Sequence, residues 1–439
     1  MKFQFFAILI VASLFTASGC QEAPTDAIVS GGSMAPSYRG EHFQLMCDEC
    51  QYPFSIDANN VPKSGLAVCP NCGNPQIRFS DQTIQPSTRM TVHQPVGPIN
   101  RSDVIAFNEP GSNNRDKKRL LTKRVVGLPG ETVQFRGGNL LINGDLVRKP
   151  AELNQQIRIP VFDSRFKQSS KSKRLVPSND DSGWNADSDG WSFNFENARK
   201  EGQASIDWLD YHHIRGYRHS SERYEVYPIE DDYGYNQNVA RQLHRVNEVM
   251  LQLQIENDAN SRLVVSLFRY QAQRCLVEFQ FDRQKILIST NNEPAVEVDA
   301  SWLSAPKSLI EISNFDRQLR ISQNHKTKHL QTIAAGNVAD SKPIRESSES
   351  DSPAPTPPVQ IRLGAANGNV RISNLQIFRD IYYYRESVNT ADDAVKFELG
   401  ADEFLVLGDN APISVDSRIF GPILRSSIIG LVLPAGSDD

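Results

Sequence analysis

The sequence predicts a mainly β protein with an antiparallel core and a long β-sandwich stretch. Three observations point to this. Between Ser102 and Val147 the short segments "DVIAF", "TVQFRG" and "NLLING" lie around the turns "GLPG", "GG" at 137–138 and "NGD" at 143–145, the pattern of antiparallel hairpins. From 151 to 385, segments with a period of two follow one another, among them "VMLQLQIE", "RLVVSLF", "LVEFQF", "KILIST", "SLIEI", "VQIRL" and "VRISNLQIF". Helical signals are nearly absent, so this stretch is predicted to be a β-sandwich. Short strands return at "FLVLG" and "SIIGLVL" between Phe404 and Leu433.

In chain order, residues 1–20 come first, and their apolar run Phe3–Phe15 follows Lys2. That run is shorter than the roughly 20 residues a spanning helix needs and suits the core of a signal segment. It ends in "TASGC", where Cys20 is similar to a bacterial lipoprotein attachment site, with Ala17 three positions before it. The alternative is an uncleaved anchor. Both export the rest of the chain and keep it tethered at a membrane. Over 439 residues the net charge is −5, which offers no electrostatic footprint for nucleic acid.

Residues 21–43 form a short, turn-rich first part of the core, and 44–85 form the first insertion. Here "CDEC" and "CPNC" place Cys47, Cys50, Cys69 and Cys72 in two C-x-x-C pairs separated by eighteen residues. That spacing suits a zinc ribbon with four thiolates on a structural Zn²⁺. Two disulfides are the alternative in an exported segment. Apolar residues are few, roughly Leu45, Phe54, Ile56, Leu66, Val68 and Ile77, so the ribbon is expected to depend on metal and to hang from the core as an independent unit.

Residues 86–150 are the second part of the core, and 151–385 the sandwich. The tract "ESSESDSPAPTPP" within 334–358 is too polar and proline-rich to pack and predicts a disordered loop. "GWNADSDGWSF" and "VRISNLQIFRDIYYY" resemble concanavalin- or laminin-G-like jelly rolls, which implies a possible carbohydrate or protein ligand. Asp187 and Asp189 suit a solvated turn better than Ca²⁺, and Trp184 and Trp191 suit a core. Cys275, in an apolar strand pattern, is expected to be a core residue. Residues 386–439 complete the core.

Three stretches carry candidate chemistry. "VSGGSMAPSY" sets Ser33 among glycines just beyond the N-terminal segment. "LLTKRVVGLPGETV" sets Lys123 among apolar neighbours. Burial would disfavour its ammonium form and let it serve as a base, whereas on an edge strand it is an ordinary solvated cation. In "GDNAPISVDSRIFG", Asp416 and Arg418 stand two apart, sharing a face if the segment is a strand, with Ser414 two residues back on that face.

Taken in order, "SGGSMAP", "KRVVGLPGE" and "GDN…S.DSR.FG" resemble the type I signal peptidases, the Ser/Lys, S26-type proteases of membranes. The resemblance covers about 110 residues: 28–43, 98–150 and 400–433. It implies an antiparallel β catalytic core with Ser33 as nucleophile, Lys123 as general base and Ser414 as the hydroxyl that orients the lysine. Asp416 and Arg418 match the family's structural ion pair. The implied substrates are signal-peptide-bearing preproteins with small residues at the first and third positions before the cut. The implied location is the extracytoplasmic side of a bacterial cell envelope, with no cofactor for catalysis. The sequence departs from the pattern at Gly31, where many members carry a serine that helps bind the oxyanion, so more falls on the Ser33 amide. It departs again at "GDNAPIS", where "GDNRDNS" is usual. These departures and the large insertions leave an alternative, a degenerate protease acting as an envelope adhesion module.

Overall fold

The computed structural model describes residues 25–29, 31–94, 97–110, 120–166, 173–198, 206–214, 226–268, 274–290, 293–304, 308–333, 359–384 and 395–434. The N-terminal segment with Cys20 and the 334–358 tract lie outside them. No helix among the described residues is long and apolar enough to cross a membrane.

The fold is mainly β and antiparallel. The core sheet runs, in spatial order, Thr25–Ile28, Arg89–His93, Ile428–Pro434, Val104–Asn108, Leu120–Gly127, Glu403–Leu407, Ile423–Leu424. Its strands come from both ends of the chain, so the insertions leave and re-enter one continuous sheet. The Lys123 strand, Leu120–Gly127, is internal, pairing with Val104–Asn108 on one side and Glu403–Leu407 on the other. It is not the edge strand that would solvate a lysine.

A second sheet joins Thr132–Arg136, Asn139–Ile142, Asp145–Leu146 and Val395–Glu398. Its two hairpin turns have both central residues at positive φ, Gly137 and Gly138 at 55° and 80°, Asn143 and Gly144 at 51° and 92°. That is the type I′ geometry whose twist matches the strands.

The second insertion forms two stacked antiparallel sheets. One contains Val370–Arg379, Val249–Asn257, Ser308–Ser313 and Gln318–Gln323, and the other Asp207–Tyr211, Ile361–Ala366, Arg262–Phe268, Arg274–Gln280 and Lys285–Thr290. Alternation does the sorting. Leu251, Leu253 and Ile255 are buried, whereas Gln252, Gln254 and Glu256 are partly exposed. The inward residues of both sheets form one core with Cys275, Phe279, Leu363 and Ile377, and Trp184 packs into it. Asp187 and Asp189 pair with Arg371, so their charges are balanced by protein.

The ribbon has strands His42–Met46, Pro53–Asp57 and Ile84–Gln85 in one sheet and Leu66–Ala67 with Ile77–Arg78 in another. It does not hang free. Asn71 and Asp163 of the sandwich exchange two bonds, Asp163 N–H to Asn71 Oδ1 at 2.8 Å and Asn71 Nδ2 to Asp163 O at 3.2 Å. Gln237 brackets Val68, accepting from its N–H at 2.9 Å and donating to its carbonyl at 3.1 Å. The expectation of an independent unit is corrected for a physical reason: Asn71 and Gln237 are buried polar groups whose partners lie across the interface.

Between core and sandwich lies a buried charge cluster. Lys149 Nζ donates to Asp316 and to Asp380, the latter at 2.9 Å, and Glu248 completes a group of three carboxylates. Glu248 Oε2 has no hydrogen-bond partner. Burial pushes Glu248 up to about 8, with Asp380 and Asp316 adding repulsion. The folded state therefore keeps a proton that the unfolded chain releases near 4.5. Stability from this group is present below that pH and is lost as pH rises through about 8. Glu248→Gln should flatten this decline, giving a variant more stable than the parent at pH 8 but not at pH 4. Urea unfolding across that range is the measurement, and an unchanged pH slope would contradict it.

Candidate active site

Ser33 sits in a loop anchored by its neighbour. Met34 is buried in a cluster with Val29, Tyr38, Met90, Val92 and Val104 under the core sheet. The loop closes on itself through Ala35 N–H to Gly32 O at 3.1 Å and Tyr38 N–H to Met34 O at 2.9 Å. Gly31 has φ of +82°, the left-handed region that favours glycine.

Lys123 projects from its internal strand toward this loop, 3% exposed, and its Nζ donates to Ser33 Oγ at 2.6 Å. Residues 90 apart in sequence are thus in direct contact. The next residue, Arg124, makes a bidentate pair with Asp409, Nε to Oδ1 at 2.7 Å and Nη2 to Oδ2 at 2.6 Å. Burial works against the Arg124 charge, but Asp409 outweighs it and holds the guanidinium above its ordinary value. Ser37 Oγ donates to Asp409 Oδ2 at 2.6 Å, so the Ser33 loop joins the same pair. Sequence reasoning did not identify this Arg124–Asp409 pair, although both residues stand inside the quoted motifs.

The "GDN" turn grips the Ser33 loop at close range. A Cβ on Gly408 would overlap Ser414 Oγ and the Ser33 carbonyl, so only glycine permits this approach. Asn410 N–H donates to Ser33 O at 3.0 Å and its Nδ2 to Gly32 O at 2.9 Å. Ser414 is buried beside Gly408, and its Oγ has no hydrogen-bond partner. The expected bond from Ser414 to Lys123 is therefore not formed in this structure, though the hydroxyl lies at the same turn.

Asp416 and Arg418 are paired, Nη2 to Oδ2 at 2.8 Å and Nε to Oδ1 at 2.9 Å. They are not on a strand. Asp416 caps the short helix Ser417–Phe420, accepting from the Arg418 N–H, and its other oxygen accepts from Gly408 N–H at 3.1 Å. The cap and the ion pair together favour a helical turn over an extended segment. Arg418 also donates to the carbonyls of Ala411 and Tyr384, both at 2.7 Å.

Away from this site, the ligand atoms of Cys47, Cys50, Cys69 and Cys72 all lie within 4.8 Å of one another. Cys47 and Cys72 sulfurs are 3.5 Å apart, Cys50 and Cys69 sulfurs 3.6 Å. A disulfide would bring sulfurs to about 2.05 Å. Tetrahedral Zn–S bonds of about 2.3 Å would place them roughly 3.8 Å apart. The two knuckles match: Gln51 N–H bonds Cys47 O and Gly73 N–H bonds Cys69 O, both at 2.9 Å, with Gln51 and Gly73 at positive φ. The donor set fits a four-thiolate metal site.

A family model described as signal peptidase, peptidase S26 matches residues 2–182 and 337–434, leaving out most of the sandwich. Signal peptidase I P of Bacillus subtilis subsp. natto is 36% identical over 73 residues, 16% of this chain and 37% of that protein. Signal peptidase I of Leptolyngbya laminosa is 38% identical over 94 residues, 21% of this chain and 41% of that protein. The chain thus spans about two fifths of the length of these curated relatives. Among solved structures, the carbohydrate-binding module CBM66 from Bacillus subtilis aligns with 47% of this chain and 96% of its own at 7% identity. Its TM-score of 0.27 is too low to support an argument about fold or ligand.

Asp409→Ala would leave the Arg124 guanidinium buried without its partner. Loss of one member of a buried pair typically costs about 3–5 kcal/mol. Denaturant unfolding should show a loss of that order, with Asp409→Asn milder because it keeps a hydrogen-bond acceptor. A change within the error of the measurement would contradict this account of the pair.

Proposed function

The chain belongs to the signal peptidase, peptidase S26 family, and from that premise we propose that it is a membrane-tethered Ser/Lys endopeptidase that removes signal peptides from exported proteins. The observation that carries this reading is the 2.6 Å contact between the Nζ of buried Lys123 and the Oγ of half-buried Ser33. Neutral Lys123 takes the hydroxyl proton as Ser33 Oγ attacks the scissile carbonyl. The lysine then delivers that proton to the leaving amine, and water resolves the acyl-enzyme. The Ser33 N–H serves as oxyanion donor, a contribution typically worth about 3 kcal/mol. Ser414, buried at the same turn with a free hydroxyl, is the group that orients Lys123 once the amine is neutral and can accept a bond. Asp416 and Arg418 hold that turn. The contact between Ser33 and Lys123 weighs against a degenerate protease. Substrates are preproteins with small residues before the cut, met at the extracytoplasmic face of a bacterial envelope where residues 1–20, through Cys20 or as an anchor, keep the chain.

Ser33→Ala and Lys123→Ala should each abolish preprotein cleavage while leaving the far-UV circular dichroism unchanged. Lys123→Arg should fail equally, because a guanidinium does not deprotonate at accessible pH. Ser414→Ala should retain more activity than either. The rate should rise along an acid limb at least about 2 units below the free-lysine value of about 10.4. Cleavage surviving in Ser33→Ala, or an acid limb near pH 10, would sink the mechanism.

For the ribbon, the proposed occupant is one structural Zn²⁺ on Cys47, Cys50, Cys69 and Cys72. Bound there, it supplies folding energy, on the order of 10 kcal/mol, and takes no part in the peptide chemistry. Metal analysis of the purified chain should find about one zinc per molecule, lost in Cys47→Ser with Cys72→Ser. Two disulfides with no zinc would overturn this assignment and leave the protease reading standing.

A further inference from the structure

We propose that Asn236, contributed by the sandwich insertion, is a positioning residue for the nucleophile and acts through Asn410. This rests on the Ser/Lys protease reading above. The loop Asp232–Gln237 leaves the sandwich and wedges between the ribbon and the catalytic core. It is fixed on several sides. Gln237 brackets Val68 of the ribbon and donates to Gly234 O at 2.6 Å. Tyr235 is buried, its carbonyl accepts from Asp57 N–H at 3.1 Å, and its ring lies against Gly32. A Cβ on Gly32 would come within 2.7 Å of Tyr235 Cε1 and 2.8 Å of Asp57 Oδ2, so this glycine is required by the insertions rather than by the core alone.

From this fixed loop, a turn closed by Asn236 N–H to Tyr233 O presents the Asn236 side chain to Asn410. The two side-chain amides exchange a pair of hydrogen bonds, each 2.8 Å long. Asn410 Nδ2 has two hydrogens. One goes to Asn236 Oδ1 and the other to Gly32 O at 2.9 Å. Because the amide group is planar, closing the ring with Asn236 removes the freedom of Asn410 to rotate away from Gly32 O.

What this fixes is the peptide plane between Gly32 and Ser33. Its carbonyl and the Ser33 N–H belong to one planar unit and point in opposite directions. Holding Gly32 O therefore aims the Ser33 N–H, the proposed oxyanion donor. With Gly31 contributing no side chain, the direction of this N–H matters more. In the absence of Asn236, the buried Asn410 amide loses one partner for its Nδ2 and the partner of its Oδ1, and nothing then fixes the torsion that keeps Nδ2 on Gly32 O. Gly32 O keeps the Ala35 N–H bond within its own loop, so the loop persists while its aim loosens.

The test compares Asn236→Ala, Asn410→Ala and the double variant with the parent. Cleavage of a peptide with small residues before the cut supplies kcat and KM, and a serine-acylating probe supplies the labelling rate at Ser33. Deleting an oxyanion donor outright typically costs about 100- to 1000-fold in kcat. Misaiming one should cost less, so Asn236→Ala should lower kcat and labelling about 10- to 100-fold, with KM within about twofold and thermal midpoint little changed. Because Asn236 acts through Asn410, the double variant should be no slower than Asn410→Ala alone. An unchanged kcat, a loss that only tracks the unfolded fraction, or additive effects in the double variant would overturn the inference while the active parent preserves the protease reading. A parent that neither cleaves nor labels at Ser33 would remove both.

Discussion

One buried ion pair joins the three segments on which the site depends. Arg124 follows the lysine on the internal strand, Asp409 lies in the "GDN" turn, and Ser37 belongs to the serine loop. A guanidinium and a carboxylate this deeply buried tolerate each other only in good geometry with further hydrogen bonds. The bidentate contact, the Ser37 hydroxyl and the Ser102 carbonyl provide these. Any shift of the turn relative to the strand would expose the pair's desolvation cost. Lys123 and Ser33 are thereby held close without needing strong attraction of their own.

The same turn is also fixed from its other end. Asp416 caps the short helix, bonds the Gly408 amide and pairs with Arg418, which reaches back to Ala411 and across to Tyr384. Gly408 then allows the turn to approach the serine loop more closely than any side chain would permit. Two ion pairs thus bracket a turn only a few residues long. This explains how an irregular turn between the strand Glu403–Leu407 and the short helix Ser417–Phe420 presents buried, exactingly placed groups.

Both insertions contribute to the core sheet's serine loop instead of standing apart from it. The ribbon brings Asp57, and the sandwich brings Tyr235 and Asn236, to the back of the serine loop. Ribbon and sandwich are in turn bound to each other through Asn71, Asp163, Val68 and Gln237. Both insertions thus lie within a few contacts of the Gly32–Ser33 peptide.

The mainly β class was legible because strand alternation is local: Leu251, Leu253 and Ile255 face inward simply by standing two apart. The "GG" and "NGD" turns were legible for a similar reason, since their left-handed geometry selects residue types at fixed positions. The two cysteine pairs and the motif residues Ser33 and Lys123 could likewise be named as candidates from short stretches. Other features had no local signature. Asp416 and Arg418 suit a strand by spacing, and only the amide of Gly408 and the cap of the following helix make them a turn. The ribbon's docking depends on polar partners beyond its own sequence, and Asn236 stands in a loop that nothing nearby marks. The pair of Arg124 with Asp409 spans 285 positions. Spacing along a chain determines which side chains share a face within an element. Which buried charge meets which amide across elements is decided only when desolvation forces each polar group to find a partner in the folded whole.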